Sequence, residues 1–268
     1  MSILVAGRLW GQAVTLQIKP HVGDTLRTRL DQQSEMTGLR RTTNGEASAM
    51  VMSSMKMFSR AIVEASADKG GGTTLLAVTD SVILATSDEH ARAAAHAAEA
   101  QMRGQRVRFR VSPDGSVGMN QSGDGAPREI AQVVSLMPAA FPKGPITVGE
   151  SWIREMPLPT GAQFGAQLSG KLHVTFRFDS LTHGGDWAFV SMRGEMQPAT
   201  GPGAASGTVL EKGLVTGTML VDQKRGWLTE SWFSIVVSSM TTPPAATGFL
   251  SMHMQMRITQ HMRTADRR

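Results

Sequence analysis

Apolar and polar positions alternate through most of this chain. Leu172, Val174, Phe176 and Phe178 alternate with His173, Thr175, Arg177 and Asp179. Met252, Met254, Met256 and Ile258 alternate with His253, Gln255, Arg257 and Thr259. Val107, Phe109 and Val111 alternate with Arg106, Arg108 and Arg110. A period of two sends successive side chains to opposite faces of a strand, so each stretch predicts a strand with one dry and one wet face. The same pattern predicts a strand over 14–36, with Leu26 and Leu30 on one face and Arg27, Arg29 and Asp31 on the other. Residues 50–66 and 73–85 predict a hairpin whose tip is the glycine-rich run 68–72, and 227–238 predict a return strand. Residues 197–213 and 241–244, rich in Gly, Ala, Pro and Thr, predict loops.

Two segments break the alternation. An Ala-rich run over 87–103 predicts a helix, with Thr86 and Glu89 as a capping box and Gly104 closing it. Ile130, Val133, Val134, Met137 and Phe141 fall at helical spacing and predict a linking helix over 128–142, ended by Pro138 and Pro142. Arg263, Arg267 and Arg268 predict a frayed basic tail.

A short phrase occurs twice. Val22-Gly23-Asp24-Thr25-Leu26-Arg27 returns as Val148-Gly149-Glu150-Ser151-Trp152-Ile153-Arg154, about half the chain later. Each copy leads into a strand, a glycine-tipped hairpin and then a second turn, the one through Gly115 and the other through Gly226. Gly23, Asp24, Gly149, Glu150, Gly115 and Gly226 are therefore structural turn residues, with the two carboxylates expected to bond local backbone N–H groups. The predicted organisation is an N-terminal segment 1–20, a first β repeat 21–127, the linking helix 128–142 and a second β repeat 143–268, the repeats forming one unit. The fold class is mainly β (α+β): a tandem-repeat, curved antiparallel sheet or half-barrel packed on one or two helices.

Composition narrows the function. At 268 residues, with 41% apolar and 18% charged residues, the chain can bury a substantial core. The absence of Cys excludes disulfides, thiolate metal sites and cysteine nucleophiles. The net charge of +5 comes with no nucleic-acid-binding motif, so no nucleic-acid partner is expected. No apolar run reaches the length of a membrane-spanning helix. Residues 3–13 fit either the tail of a secretion signal or an ordinary N-terminal strand; Arg8 interrupts their apolar stretch.

Phe141-Pro142, followed after a short spacer by Val148-Gly149-Glu150-Ser151-Trp152 and then a glycine-tipped hairpin, resembles the pattern of a family of bacterial exported proteins without assigned function. That family is similar in architecture to the lipoprotein-carrier (Lol-type) half-barrels. The resemblance covers the chain from about residue 20. It implies a periplasmic or cell-envelope setting and an apolar ligand, and it supplies no catalytic residue.

No motif carries specific chemistry. Ser53-Ser54-Met55-Lys56 matches Ser-x-x-Lys, but the methionines around it (Met50, Met52, Met55, Met57) favour a strand, which would separate the pair. Seven His residues include no His-Glu-x-x-His, and His183 and Asp186 share only a turn tip. Lys69-Gly70-Gly71-Gly72 lacks the spacing of a phosphate loop. Arg106, Arg108 and Arg110 read as a solvated stripe that could also meet an anionic partner. The unusual feature is methionine, with 18 copies. Met252, Met254 and Met256 share one strand face, and Met192 and Met219 continue it. Thioethers fill irregular apolar space, adapt to varied ligands and can bind Cu(I). Core, pocket lining and copper all remain open as readings of the stripe; the preferred expectation is a ligand pocket with no metal and no cofactor. The protein is expected to be a non-enzymatic extracytoplasmic binding or envelope protein holding a lipid or other hydrophobic ligand in a Met-lined concavity. A structural module that binds an envelope protein is the alternative, and a hydrolase is the remote one. With Met1 as the true start, the setting would instead be cytoplasmic.

Overall fold

The computed structural model of the protein describes residues 13–42, 45–66, 71–119, 140–157, 170–198, 208–241 and 249–265. Its strands are β1 (Thr25–Thr42), β2 (Gly45–Ser66), β3 (Thr73–Thr86), β4 (Arg106–Val111), β5 (Val117–Met119), β6 (Ser151–Pro157), β7 (Gly170–Thr182), β8 (Trp187–Pro198), β9 (Thr208–Asp222), β10 (Trp227–Thr241) and β11 (Phe249–Ala265). Helix α1 (Arg92–Met102) lies between β3 and β4. All eleven strands form one sheet in the order β5-β4-β3-β2-β1-β11-β10-β9-β8-β7-β6. Every neighbouring pair is antiparallel. The first five strands run across the sheet in reverse chain order, and β10 to β6 do the same. β11 is the insert that joins β1 to β10.

The two copies of the recurring phrase adopt one geometry. Gly23 (φ 89°) and Gly149 (φ 94°) hold left-handed backbone, which glycine adopts without steric cost. The Gly23 N–H donates to Val63 O at 2.9 Å, and Val63 N–H donates back to Asp24 O at 3.0 Å. Gly149 N–H donates to Phe178 O at 2.7 Å, and Phe178 N–H to Glu150 O at 3.0 Å. His21 N–H donates to the Asp24 carboxylate at 3.3 Å, and Thr147 N–H to the Glu150 carboxylate at 2.7 Å. Each phrase thus locks its opening strand to the next one. The Thr147 backbone N–H holds the Glu150 carboxyl below its usual range. The second turns also correspond: Asp114 Oδ1 accepts from Ser116 N–H, and Asp222 Oδ1 from Arg225 N–H.

The sheet bends strongly. β4 and β6 are nine strand spacings apart, which would be about 43 Å in a flat sheet. Yet adjacent residues 140 and 141 touch both ends. Phe141 N–H donates to Asp114 O, in the β4–β5 turn, at 3.0 Å. Trp152 Nε1 on β6 donates to Ala140 O at 2.6 Å, and the Arg154 guanidinium donates to Phe141 O. A strap over 13–20 completes this end. Val14 and Ile146 exchange two backbone bonds of 2.9 Å, Ile18 N–H reaches Pro113 O, and Lys19 N–H reaches Gly226 O. Leu16, Ile18, Phe141 and Ile146 are buried in one apolar cluster with Leu75, Phe109 and Val111 from one side and Phe176, Phe178 and Val190 from the other. The apolar face is therefore the inner face of an open half-barrel.

Several expectations from the sequence need correction. The N-terminal strand begins at Thr25 and not near residue 14, because Pro20 and the Gly23 turn precede it; residues 13–20 serve as the strap. The helix begins at Arg92 and makes no side-chain cap bond. Thr86 is still paired with Ser53 in the sheet, and its hydroxyl instead accepts from Asp88 N–H, so the capping box is not formed. Arg263 belongs to β11 and pairs with Glu230, so it is not part of a tail. The predicted loop over 197–213 is shorter as well, since β8 runs to Pro198 and β9 starts at Thr208. Most of the expected linking helix lies outside the described residues; 140–142 are not helical.

Gly226 supports this end of the barrel directly. A Cβ there would strike the Lys19 backbone, whereas one on Gly23 would meet open space. Gly23→Ala should cost about 1 kcal/mol, the penalty of left-handed backbone alone. Gly226→Ala should cost roughly 1–3 kcal/mol more through the clash. Denaturant unfolding of both variants checks this; equal losses would mean that the strap is not held by the turn.

Candidate functional site

The inner face is built row by row from the strand register. Phe176 lies opposite Trp152 on one side and Met192 on the other, and its ring stacks on Trp152 with centroids 5.6 Å apart. Met192 lies opposite Gly217, which lies opposite Phe233. In the next row Phe178 meets Val190, then Met219, then Ser231, then Met262. Paired residues of an antiparallel ladder share a face. Leu172, Val174, Phe176, Phe178, Ala188, Val190, Val215 and Val221 are each almost wholly buried. A fully buried aliphatic or aromatic side chain contributes about 1.5–3 kcal/mol, so this face dominates the stability of the second half.

Glycines shape the same face. A Cβ on Gly217 would overlap the Met192 methyl, the Trp232 carbonyl and the Phe233 side chain. A Cβ on Gly213 would overlap the Met196 side chain, and one on Gly194 would overlap Val174 and the His173 carbonyl. Each missing side chain is filled by a neighbour, and two of the three fillers are methionines. A flexible thioether suits such gaps because it has three rotatable bonds and no branch to clash.

The five singled-out methionines all fall on this inner face by register. Met256 lies opposite Met36 and Val237, and Met254 opposite Gly38 and Ser239. Met192, Met219 and Met256 are buried, while Met252 and Met254 are half-buried. The methionines of β2 divide. Met55 and Met57 turn inward against α1 and the small cluster of Val82, Met102 and Val107, whereas Met50 is 63% exposed on the outer face and Met52 lies beside it. Two cavities are formed elsewhere. One of about 350 Å³ is lined by Leu16, Gln17, Pro113, Asp114, Ser116 and Lys143 at the strap. One of about 150 Å³ opens among Thr37, Leu39, Ser238, His253, Met254 and Gln255.

A polar feature of the inner face was missed in reading the sequence. Gln32 and Gln260 lie directly opposite each other across β1 and β11. Met55 flanks Gln32 and Phe233 flanks Gln260. Gln260 is 4% exposed. The side-chain oxygens of both are buried and have no hydrogen-bond partner. Strand parity from Leu30 and from Met256 would have put both on the inner face, but a lone Gln in an alternating run reads as solvent-facing. Ser34, opposite Ser53, continues the polar patch by one row.

The candidate catalytic and metal features do not converge. Ser53 and Lys56 are an odd number of residues apart on β2 and so face opposite sides of the sheet. Among the described residues, no group of three or more His, Asp or Glu side chains could hold a metal ion. Asp186 pairs with Lys224 at 2.6 Å, and the His183 side chain lies outside the described residues. In the arginine stripe, Arg108 makes two bonds to Glu64 and the Arg110 side chain lies over Gly72. Outside, His261 Nε2 lies 2.6 Å from Glu230 Oε1, which also accepts from Arg263 Nε at 3.0 Å. These bonds, His261 first, hold the Glu230 carboxyl below its usual range.

No family model matches the chain, and no curated protein does. Among solved structures, the chain superposes on part of a lipovitellin chain, from a structure concerned with lipid–protein interactions in lipovitellin. The TM-score is 0.54 at 10% identity, over 92% of this chain and 26% of that one. The chain therefore spans about a quarter of the lipovitellin chain, and the likeness is one of fold. A domain named for outer-membrane lipoprotein sorting, from Vibrio parahaemolyticus, aligns over 88% of this chain and 83% of its own at 10% identity, but its TM-score of 0.13 carries no structural argument.

The Glu230 cluster should leave a pH signature. A carboxyl whose folded pKa is depressed stabilises the protein above its ordinary value and loses that contribution as pH falls through the folded value. Glu230→Gln should therefore lower Tm at pH 7, with the difference from the parent shrinking below pH 4.5, the ordinary value. Thermal melts of both proteins from pH 7 to pH 3 test this; a constant offset would show that the ion pairs contribute nothing. Gly217→Ala, for its part, should lose roughly 1–3 kcal/mol by overpacking.

Proposed function

We propose that the protein is a non-enzymatic binding protein that holds an apolar or amphipathic ligand against the methionine-rich inner face of its half-barrel, in the periplasm or cell envelope. The observation that carries this reading is the continuity of the apolar inner face from β7 to β11, with methionines lying over glycine gaps. Among the described residues, α1 packs on β3, and the strap joins the same apolar cluster at one end of that stretch. Burial of a ligand's apolar surface there would drive binding, at about 25 cal/mol per Å² before entropic losses. Methionine side chains can re-pack around chains of different shape. A fold shared with a lipovitellin segment supports the reading, as does the resemblance of the Phe141–Trp152 pattern to exported half-barrel proteins.

One observation favours a second reading, a partner-binding module. Met50, Met52, Phe58 and Ile83 are exposed on the outer side of β2 and β3, where an envelope protein could dock.

One pair of variants separates the two. Native mass spectrometry of the purified protein should show a co-purified lipid mass, and N-phenyl-1-naphthylamine should bind with enhanced fluorescence. Met256→Lys should weaken probe binding roughly tenfold, the cost of placing a charge on the apolar face, while Met50→Lys should leave it unchanged. If the wild-type protein binds neither lipid nor probe, the lipid reading fails. A complex lost with Met50→Lys but kept with Met256→Lys would favour the partner-binding module.

A further inference from the structure

We infer that the inner face selects uncharged lipids carrying a hydroxyl or amide N–H donor, and that Gln32 and Gln260 are the residues that read it. The inference rests on the lipid-binding reading above and deepens it. The second half of the inner face is mainly apolar, with Phe176, Phe178, Val190, Met192, Val215 and Ile235 buried there and Ser231 and Ser239 as small polar interruptions. The Gln pair lies beside it, at the junction of β1 and β11, with Leu30, Ile258 and Met262 as same-face neighbours. A purely hydrocarbon ligand would be served better by apolar residues at these two places.

Both glutamine oxygens are buried and unpartnered. A buried acceptor without a donor is unfavourable, and the large majority of buried polar groups in proteins have partners. Cross-strand neighbours place their Cβ atoms about 5 Å apart, so a single small polar group can reach both oxygens. What two acceptors lack is a donor. A hydroxyl or amide N–H provides one, whereas an ether or ester does not. A fatty-acid carboxylate would bring further acceptors and a charge into an apolar site, at high cost. The ligand class is therefore a neutral amphipath: a long chain for the apolar half and a donor for the glutamines. Ser34 and Ser53, one row further along, extend the polar side of that surface.

The test is displacement of N-phenyl-1-naphthylamine by two ligands that differ in the donor, hexadecan-1-ol and hexadecyl methyl ether. The alcohol should bind about tenfold more tightly to the wild-type protein, the discrimination expected of one net hydrogen bond in a buried site. In the Gln32→Met, Gln260→Met double variant the ratio should fall to about one. Methionine nearly matches glutamine in shape, so the fold is retained, and Tm should stay level or rise because two unpartnered acceptors are gone. The wild-type ratio stands as a test even without the variant. Equal affinities in the wild-type protein, or an unchanged ratio in the double variant, would overturn the inference and leave lipid binding intact. Failure of every ligand and of the probe to bind the wild-type protein would overturn the lipid-binding reading itself.

Discussion

A single sheet with one apolar face must hide that face, and in this protein bending does most of the work. Eleven strands are too many for a small number of helices to cover, and among the described residues α1 is the one α-helix. Strands twist because of backbone sterics, and wide twisted sheets curl when both edges can be held. Residues 140–146 and the 13–20 strap hold them here. They connect the β4–β5 turn, the β9–β10 turn and β6 within a few residues. Their backbone bonds satisfy polar groups that would otherwise be buried alone, while Leu16, Ile18, Phe141 and Ile146 fill the space between the two walls.

The matched turns explain why the two walls can be joined smoothly. Each opening phrase uses a left-handed glycine and a carboxylate bonded to the backbone three residues earlier to start a strand in register with the next. Both halves therefore cross the sheet in the same sense, from later strand to earlier. That arrangement leaves β1 of the first half facing β10 of the second, and β11 fills the place between them with long ladders on both sides. β11 is thus the strand on which the continuity of the inner face depends, and it carries both Met256 and Gln260.

Charge is sorted by the same geometry. The outer face carries ion pairs such as Arg60 with Asp80, Arg108 with Glu64 and Arg263 with Glu230. Exposed pairs of this kind contribute little each; their main effect is to keep a wide sheet surface wet. The inner face has polar atoms in only a few places; among the described residues the side-chain oxygens of Gln32, Gln260 and Thr73 are buried there without a partner, and the two glutamines lie directly opposite each other. That contrast between a well-paired exterior and an unpaired polar spot inside is what gives the site its proposed chemistry.

Much of the fold was legible in the chain because β-structure writes itself locally. Period-two alternation located most of the strands and the repeated Gly-Asp/Glu phrase located the turns, since both depend on residues close in sequence. The helix start and the N-terminal strap were misplaced because each was decided by distant partners: Thr86 was taken by Ser53, and residues 14–19 by Pro113, Ile146 and Gly226. The candidate site was legible only in part. The Met stripe could be assigned to one face from its period alone. That Met192 fills Gly217 and that Gln32 meets Gln260 more than two hundred residues away depended on register between strands. Local pattern determines which residues share a face. Only the tertiary pairing decides which faces meet, because the energy that sets register comes from burial across the sheet and not along the strand.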